Sequence, residues 1–407
     1  MHSKKSFLPC CLTLFIILGC NRDILQSERA SSSIQGSASN LNARWGKYRV
    51  GYLVENEAIS YVVEDRSRKL DSIVYYPSGI EGETDEKPAI LEQTRAKDNR
   101  PPSPSFYSHE KAEILPELEN LKFPVILASH GDGGSKQMYK FLLEFLASHG
   151  YICLAIDHKG NDGLKNAAFS GNMEKNMTLK RLLDLSAAID HIKKWMEHGK
   201  MPYHMADSSR IGLVGHSYGG HIVLGFAGGY DLYGIRENCI NLKTGYPCDL
   251  MGLDPASLPW AENLKSVKAV ISMAHDATPE HLGKDCEKAR NLDLKGLLYI
   301  GGTRDWISPV DRNIRPCNPF MGKIDASVNT NDGEIRDVSL NRNGRELIIS
   351  GADHLGFSDF GNRRIPQNID DKTQEQIDPE TLLRESSKIH DLVRNHVKAV
   401  FDRNLKM

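Results

Sequence analysis

The chain has 407 residues, of which 40% are hydrophobic and 26% are charged, and its formal net charge is -2. This composition is typical of globular proteins, and a charge so close to zero argues against a nucleic-acid partner. The length suits one large α/β domain or two smaller domains, and we expect one.

The first residues predict an export signal. Two lysines precede an apolar segment at 7–18 that is too short to span a bilayer. Residues 17–20, Ile-Leu-Gly-Cys, then resemble a bacterial lipobox, in which the cysteine becomes the lipid-carrying first residue. We therefore expect a lipoprotein signal peptide at 1–19, a lipid anchor on Cys20 and a place in the cell envelope, with Asn21 favouring the outer membrane. A plain secretory signal or an uncleaved anchor is the alternative.

Residues 20–44 are polar and have no apolar period, which predicts a flexible tether before a folded domain at 45–407. Export also implies an oxidising compartment, so disulfide bonds are expected. Cys153 falls in an apolar run and is expected to be a buried thiol. The other four cysteines of the domain allow three pairings, and proximity favours Cys239 with Cys248 and Cys286 with Cys317.

Strands and helices are expected to alternate along the domain. Residues 70–77 predict a strand near one sheet edge, because they alternate in polarity and end in proline, and a long surface excursion follows at 79–119. Continuous apolar runs predict further strands at 123–128, 151–156, 211–214, 267–273, 296–300 and 346–349. Apolar residues at helical spacing predict helices at 137–149, 178–196 and about 379–404. This order predicts the α/β class, with a mostly parallel, doubly wound sheet of about eight strands.

A GxSxG motif at 215–219, Gly-His-Ser-Tyr-Gly, lies between a predicted strand and a small-residue helix start. In that setting the motif predicts a nucleophile elbow, a sharp turn that exposes the serine hydroxyl while its glycines allow close packing. A neutral serine is a weak nucleophile, so a base and an orienting carboxylate are needed. Ser217 is the predicted nucleophile.

His354 and Asp305 each follow the carboxyl end of a predicted strand, in the chain order Ser, Asp, His of α/β-hydrolases. We expect His354 to take the proton from Ser217 and Asp305 to orient the imidazole. Asp276, at the end of the preceding strand, is the rival acid. The alternative imidazoles are those of His130, His158 and His275.

The glycine-rich loop at 129–134, Ser-His-Gly-Asp-Gly-Gly, follows the strand at 123–128. The backbone N–H groups of Asp132 and Tyr218 are the expected donors of an oxyanion hole. The Asp132 carboxylate is expected to point away and to cap the next helix, because it would otherwise oppose the oxyanion. A phosphate-binding loop is the alternative, but the GxxxxGK[ST] pattern is absent from the sequence.

Several motifs together resemble the monomeric platelet-activating-factor acetylhydrolase family and the bacterial dienelactone-hydrolase-like proteins related to it. They lie at 129–131, 145–151, 157–158, 215–220 and 351–360, and the likeness covers roughly 45–360. The resemblance implies an α/β-hydrolase fold and serine-dependent hydrolysis of esters, which in the acetylhydrolases are phospholipid sn-2 esters of short or oxidised acyl chains. The acetylhydrolase pattern places the acid at Asp276, whereas the pattern of the bacterial relatives places it at Asp305.

The sequence as a whole predicts a lipid-anchored, monomeric carboxylic ester hydrolase that needs no metal or organic cofactor. An excursion at 230–265 is expected at the mouth of its site. A polyester hydrolase or lipase with the same triad is the alternative within enzymes. A noncatalytic envelope binding protein on the same fold is the alternative from another class.

Overall fold

The structure of the chain is a computed structural model that describes residues 43–80, 108–162, 176–242, 248–254, 256–275, 296–310, 336–337, 346–361 and 379–406. The chain has two units, Met1–Asn40 and Leu41–Met407, and all of these residues belong to the second. The predicted signal peptide and the lipidation site at Cys20 lie outside the described residues. The same is true of Asp276, Cys286 and Cys317.

The described residues form one ten-stranded sheet. Its strands are β1 (Tyr48–Val63), β2 (Arg66–Ile80), β3 (Ser108–Glu110), β4 (Phe123–Ser129), β5 (Ile152–Ile156), β6 (Ala206–His216), β7 (Val267–Met273), β8 (Gly296–Gly302), β9 (Arg336–Asp337) and β10 (Glu346–Ser350). Their order across the sheet is β3-β1-β2-β5-β4-β6-β7-β8-β10-β9.

The centre of the sheet is parallel. Neighbouring strands from β5 through β4, β6, β7 and β8 to β10 all run in the same direction. Strand β2 pairs antiparallel with both β1 and β5. The carboxyl ends of the parallel strands therefore meet at one edge of the sheet, which is where ligand sites of open α/β sheets lie.

The helices are α1 (Lys140–Ser148), α2 (Met177–Glu197), α3 (Tyr218–Leu224), α4 (Leu232–Leu242), α5 (Ala261–Leu264) and α6 (Pro379–Leu405). Successive side chains of β4 point to opposite faces and enter two apolar clusters. Leu127 packs in a cluster that includes Leu185 of α2, whereas Ile126 packs in a cluster that includes Phe145 of α1 and Val397 of α6. Helices cover both faces, so the sheet is doubly wound and the domain has the α/β-hydrolase fold.

The amino-terminal part of the domain differs from the prediction. Strands β1 and β2 form a long antiparallel hairpin, and β1 was not expected from the sequence. The predicted strand at 70–77 is the central part of β2, which lies third from one end of the sheet. Within the predicted excursion at 79–119 the structure describes β3 beside β1, and residues 81–107 lie outside the described part.

The described parts of the segment at 230–265 pack onto the domain. Cys239 and Cys248 form a disulfide bond within it. A carboxylate oxygen of Asp249 accepts a hydrogen bond from the backbone N–H of Leu179 at 2.8 Å, in the first turn of α2. Trp260 is buried and stacks on Phe226 with ring centroids 6.2 Å apart. Over the described ranges, no helix is both long enough and apolar enough to cross a membrane.

Candidate active site

Ser217 lies at the turn between β6 and α3, as the motif predicts. Its backbone has φ 55° and ψ -125°, a conformation that non-glycine residues rarely adopt. The backbone N–H of Ser217 donates to the carbonyl oxygen of Met273 at 2.8 Å, which fixes the turn to β7. Ser217 is half-buried, whereas its neighbours His216 and Tyr218 are buried. Backbone strain at one partly exposed residue in a rigid setting is typical of a functional site.

Two glycines make this turn possible. A Cβ added at Gly215 would lie 2.1 Å from the carbonyl oxygen of Gly219. A Cβ added at Gly219 would lie 2.1 Å from the carbonyl oxygen of Ser129, at the end of β4. No side chain fits at such distances, so the GxSxG pattern is a packing requirement here.

The loops after β8 and β10 bring the predicted acid and base together. Nδ1 of His354 lies 2.9 Å from Oδ2 of Asp305, and both residues are buried. The other carboxylate oxygen of Asp305 accepts a hydrogen bond from the backbone N–H of Ser308 at 2.8 Å. Because a carboxylate accepts, Nδ1 of His354 donates, which leaves Nε2 of the neutral ring free to accept a proton.

The loop of His354 is also tied to the serine turn. Nε2 of His216 lies 2.8 Å from the carbonyl oxygen of His354, and the two rings are 4.8 Å apart at their centroids. Among the described residues no hydrogen bond reaches Oγ of Ser217 from His354 or from any other group. Catalytic hydrogen bonds are often long in an unliganded enzyme and tighten when substrate binds.

Tyr139 continues this connection towards the glycine-rich loop. Burial lowers the pKa of His216 well below its usual value, so the ring is neutral. A carbonyl oxygen can only accept, so Nε2 carries the proton and Nδ1 accepts from the hydroxyl of Tyr139 at 3.1 Å. The Tyr139 oxygen in turn accepts from the backbone N–H of Gly131 at 3.3 Å. One directed series of hydrogen bonds therefore links the glycine-rich loop, the serine turn and the His354 loop.

The glycine-rich loop lies directly against the serine. A Cβ added at Gly131 would be 3.0 Å from Cβ of Ser217 and 3.5 Å from its Oγ. Among the described residues no acceptor takes the backbone N–H of the next residue, Asp132. The loop is thus close enough to contribute a donor to an oxyanion on a substrate bound at Ser217.

The expected helix cap at Asp132 is wrong. Its carboxylate accepts instead from the side-chain amide of Asn161 at 2.5 Å. The N-terminus of α1 is capped by Asp359, whose two oxygens accept from the backbone N–H groups of Lys140 and Phe141 at 2.6 and 3.0 Å. The reason is geometric, since the loop at 351–361 already brings the Asp359 carboxylate to the first turn of α1, while the Asp132 carboxylate is hydrogen-bonded to Asn161.

A second Ser-His-Asp arrangement occurs inside the protein. Oγ of Ser129 lies 2.8 Å from Nε2 of His158, whose Nδ1 lies 2.9 Å from Oδ2 of Asp184. All three side chains are fully buried. Burial lowers the pKa of His158 to about 4, and Arg68 pairs with Asp184 at 2.7 Å. Because no substrate can reach Ser129, we interpret these hydrogen bonds as structural contacts that stabilise the end of β4.

The alternative imidazoles do not approach Ser217 through any described contact. Nδ1 of His130 lies 2.7 Å from the carbonyl oxygen of Gly131, and its Nε2 accepts from the backbone N–H of His158 at 3.0 Å. His275 is fully buried after β7.

Among the described residues no three His, Cys, Asp or Glu side chains come together as metal ligands.

The motif-based prediction missed three residues that hold the site together: His216, Tyr139 and Arg181. His216 is the variable position next to the serine in the motif, and nothing in the sequence distinguishes it. The sequence does contain an indication of Arg181, because this charged residue lies four residues before Leu185, on the buried face of α2. A charged residue on an apolar helical face indicates a buried polar contact.

Part of the chain is similar to a known protein family. Residues 102–257 match the chlorophyllase family, a stretch of less than half of the chain that includes Asp132 and Ser217 but ends before Asp305. No curated protein matches the chain. A solved structure of a ferulic acid esterase from Streptomyces cinnamoneus is 18% identical with a TM-score of 0.47, over 88% of this chain and 91% of the esterase. The family match and the α/β-hydrolase fold support a carboxylic ester hydrolase.

Proposed function

We propose that this chain is a serine carboxylic ester hydrolase in which Ser217, His354 and Asp305 act as nucleophile, base and acid. The proposal depends on the meeting of three segments that are distant in sequence. The turn of Ser217 is joined through His216 to the backbone of His354, and the imidazole of His354 is joined to Asp305. Asp305 therefore remains the preferred acid, and its hydrogen bond to the imidazole of His354 supports that choice.

In the proposed mechanism His354 takes the proton of the Ser217 hydroxyl at Nε2 while Oγ forms a bond to the acyl carbon. Asp305 keeps the tautomer with the proton on Nδ1 and balances the charge of the imidazolium. The tetrahedral intermediate then collapses, the bond from the acyl carbon to the alcohol oxygen breaks, and His354 protonates the leaving alcohol. In the second half-reaction His354 takes a proton from water while the water oxygen forms a bond to the acyl carbon. The bond from that carbon to Oγ then breaks, and His354 returns the proton to Ser217.

Negative charge develops on the former carbonyl oxygen in both half-reactions. The backbone N–H groups of Tyr218 and Asp132 are the proposed donors to it. The position of Gly131 against Ser217 supports the second of these donors. Such donors are typically among the largest contributions to catalysis in acyl transfer.

The substrate class follows from the family resemblance. We propose short acyl esters, including short or oxidised sn-2 acyl groups of phospholipids, as substrates. The lipobox-like sequence at 17–20 supports a lipid anchor on Cys20 in the cell envelope, which would keep the enzyme close to membrane lipids. A monomer is the proposed form, without a metal or an organic cofactor.

The test is hydrolysis of p-nitrophenyl esters from acetyl to palmitoyl by the full-length protein in detergent. Highest kcat/KM on the shortest chains supports the proposal, whereas a maximum on long chains favours the lipase or polyester hydrolase. Ser217→Ala should abolish turnover, and Ser60→Ala, at an exposed position of β1, is the matched control that should leave it unchanged. A wild-type protein without turnover on any ester would favour the noncatalytic binding protein.

A further inference from the structure

Arg181 of α2 is a fully buried cation behind the glycine-rich loop. Nη1 donates to the carbonyl oxygen of His130 at 2.5 Å, and Nη2 donates to the carbonyl oxygen of Gly131 at 3.0 Å and to Oδ1 of Asn161 at 2.5 Å. Among the described residues, no carboxylate forms an ion pair with it. The carboxylates of Asp132 and Asp184 act on it electrostatically, but its direct hydrogen bonds of 3.0 Å or less go to carbonyl or amide oxygens of the loop region. Buried charges are usually paired directly, so the contacts of Arg181 with this loop need an explanation.

The hydrogen bonds of Arg181 fix the orientation of the peptide group between Gly131 and Asp132. A trans peptide points its C=O and its N–H in opposite directions. The carbonyl of Gly131 is held by Arg181, by Nδ1 of His130 at 2.7 Å and by the backbone N–H of Gly134 at 3.2 Å. The N–H of Asp132 belongs to the same peptide group and therefore points away from Arg181. Several donors on one carbonyl also polarise that N–H.

The same guanidinium contacts the second proposed donor residue. Its Cζ lies 4.6 Å from the centroid of the Tyr218 ring, a cation-π distance. The Tyr218 hydroxyl lies 2.9 Å from Oγ1 of Thr178, one turn before Arg181 on α2. Helix α2 therefore contacts both the glycine-rich loop and Tyr218, the two places that carry the proposed donors.

We propose that Arg181 is a positioning residue for the oxyanion hole: it aims the Asp132 N–H at the reacting oxygen, and its buried charge favours the negative charge that develops there. This inference rests on the proposed ester hydrolysis. Burial lowers the pKa of Arg181 to about 10, so the guanidinium remains charged at neutral pH. In a poorly hydrated interior, a charge acts over several ångströms with much less screening than in water.

Arg181→Gln and Arg181→Lys test the inference in the full-length protein. Glutamine removes the charge, whereas lysine keeps the charge but cannot present a planar fork to two carbonyls. The readouts are kcat, KM and the inhibition constant of a short trifluoromethyl ketone, whose carbonyl forms an anionic adduct with Ser217. The matched control is Arg394→Gln, since Arg394 is also buried and donates to a carbonyl, that of Phe141 in α1.

For Arg181→Gln we expect kcat to fall by about 10²-fold, as for the loss of one oxyanion-hole donor, with KM nearly unchanged. The affinity for the trifluoromethyl ketone should fall in parallel. Arg181→Lys should cause a smaller loss of kcat and of ketone affinity. Arg394→Gln should lower only the stability of the protein. If the glutamine variant does not fold, the lysine variant decides alone.

Wild-type kcat and ketone affinity in either folded Arg181 variant would overturn the inference, as would a raised KM at unchanged kcat. Failure of the proposed function looks different. In that case the wild-type protein itself would neither hydrolyse short esters nor bind the trifluoromethyl ketone.

Discussion

Nε2 of His216 donates a hydrogen bond of 2.8 Å to the carbonyl oxygen of His354, so the residue before the proposed nucleophile holds the residue proposed as its base. The ring of His216 is buried between Tyr139 and Phe357, at centroid distances of 5.8 and 6.4 Å. Both ring nitrogens form hydrogen bonds, and the ring cannot rotate without breaking these bonds. The backbone of His354 is therefore joined to the serine turn by the side chain of His216, which is not itself a member of the proposed triad.

Replacing His216 should impair both stability and turnover. His216→Ala removes one donor and one acceptor and leaves the Tyr139 hydroxyl and the His354 carbonyl without these partners, which should lower the free energy of unfolding by about 1–3 kcal/mol. His216→Gln can still donate from its amide nitrogen and accept at its amide oxygen, so it should restore much of kcat. The measurements are urea unfolding and kcat on p-nitrophenyl acetate. Equal kcat in the wild type and the alanine variant would show that this bond does not position the base.

Stability should decrease as the pH falls below about 6.5, because three buried histidines stay neutral in the folded state. Burial lowers the pKa of His130 and His216 well below 6.5, and that of His158 to about 4. The unfolded chain binds these protons first, so the stabilisation is complete above about 6.5 and is lost as the pH falls.

His216→Gln should remove one of the three contributions. Between about pH 6 and 5 the slope of the unfolding free energy against pH should decrease by about 1.4 kcal/mol per pH unit relative to wild type. Ser60→Ala, at an exposed position of β1, does not titrate in this range; it is the control and should keep the wild-type slope. A wild-type slope in His216→Gln would mean that His216 is protonated in the folded protein.

Substitution of the two rival acids should give very different results. Asp305→Asn should lower kcat by a factor on the order of 10⁴, because an amide at this position favours the wrong tautomer of His354. Asp276→Asn should leave kcat near the wild-type value. Steady-state kinetics on p-nitrophenyl acetate distinguish the two. The reverse order of effects would return the role of acid to Asp276, as the acetylhydrolase pattern suggests.

The disulfide bond between Cys239 and Cys248 joins α4 to the segment that caps α2. Its sequence separation is 9 residues, and closing a loop of this size stabilises a protein by about 2–3 kcal/mol in the chain-entropy treatment. The double variant Cys239→Ser, Cys248→Ser should therefore unfold at lower urea concentration than the oxidised wild type. Reductant should bring the wild type close to the variant. Equal midpoints for the oxidised wild type and the variant would contradict this prediction.

The parallel half of the sheet could be predicted because each of its strands is buried on both faces and shows as a continuous apolar run. Strand β7 coincides with its predicted range, and helix α2 exceeds its range by one residue at each end. Strand β1 gave no such signal, because it is half-exposed and carries Glu55 and Glu57 near a register shift with β2. Its position follows from pairing with β2, which a local pattern does not reveal.

The same distinction applies to the site. The elbow of Ser217 is specified by five consecutive residues, and the loops of Asp305 and His354 each follow a clear strand. Arg181, Tyr139 and Asn161 have no such motif, since their contacts with the glycine-rich loop exist only after α1, α2 and β5 have packed on the sheet. A hydrogen-bond pattern alone can also suggest a catalytic site where there is none. The contacts among Ser129, His158 and Asp184 match those of a catalytic triad, and only the burial of these residues excludes a catalytic role.

Ser217 is the serine that we propose to be activated. The most direct test is to treat the full-length protein with a fluorophosphonate and to locate the label by mass spectrometry, because an activated Oγ attacks phosphorus and expels fluoride. We predict stoichiometric label on the peptide that contains Ser217, none on the peptide that contains Ser129, and none in Ser217→Ala. An unlabelled Ser217, or label at Ser129, would show that Ser217 is not the activated nucleophile.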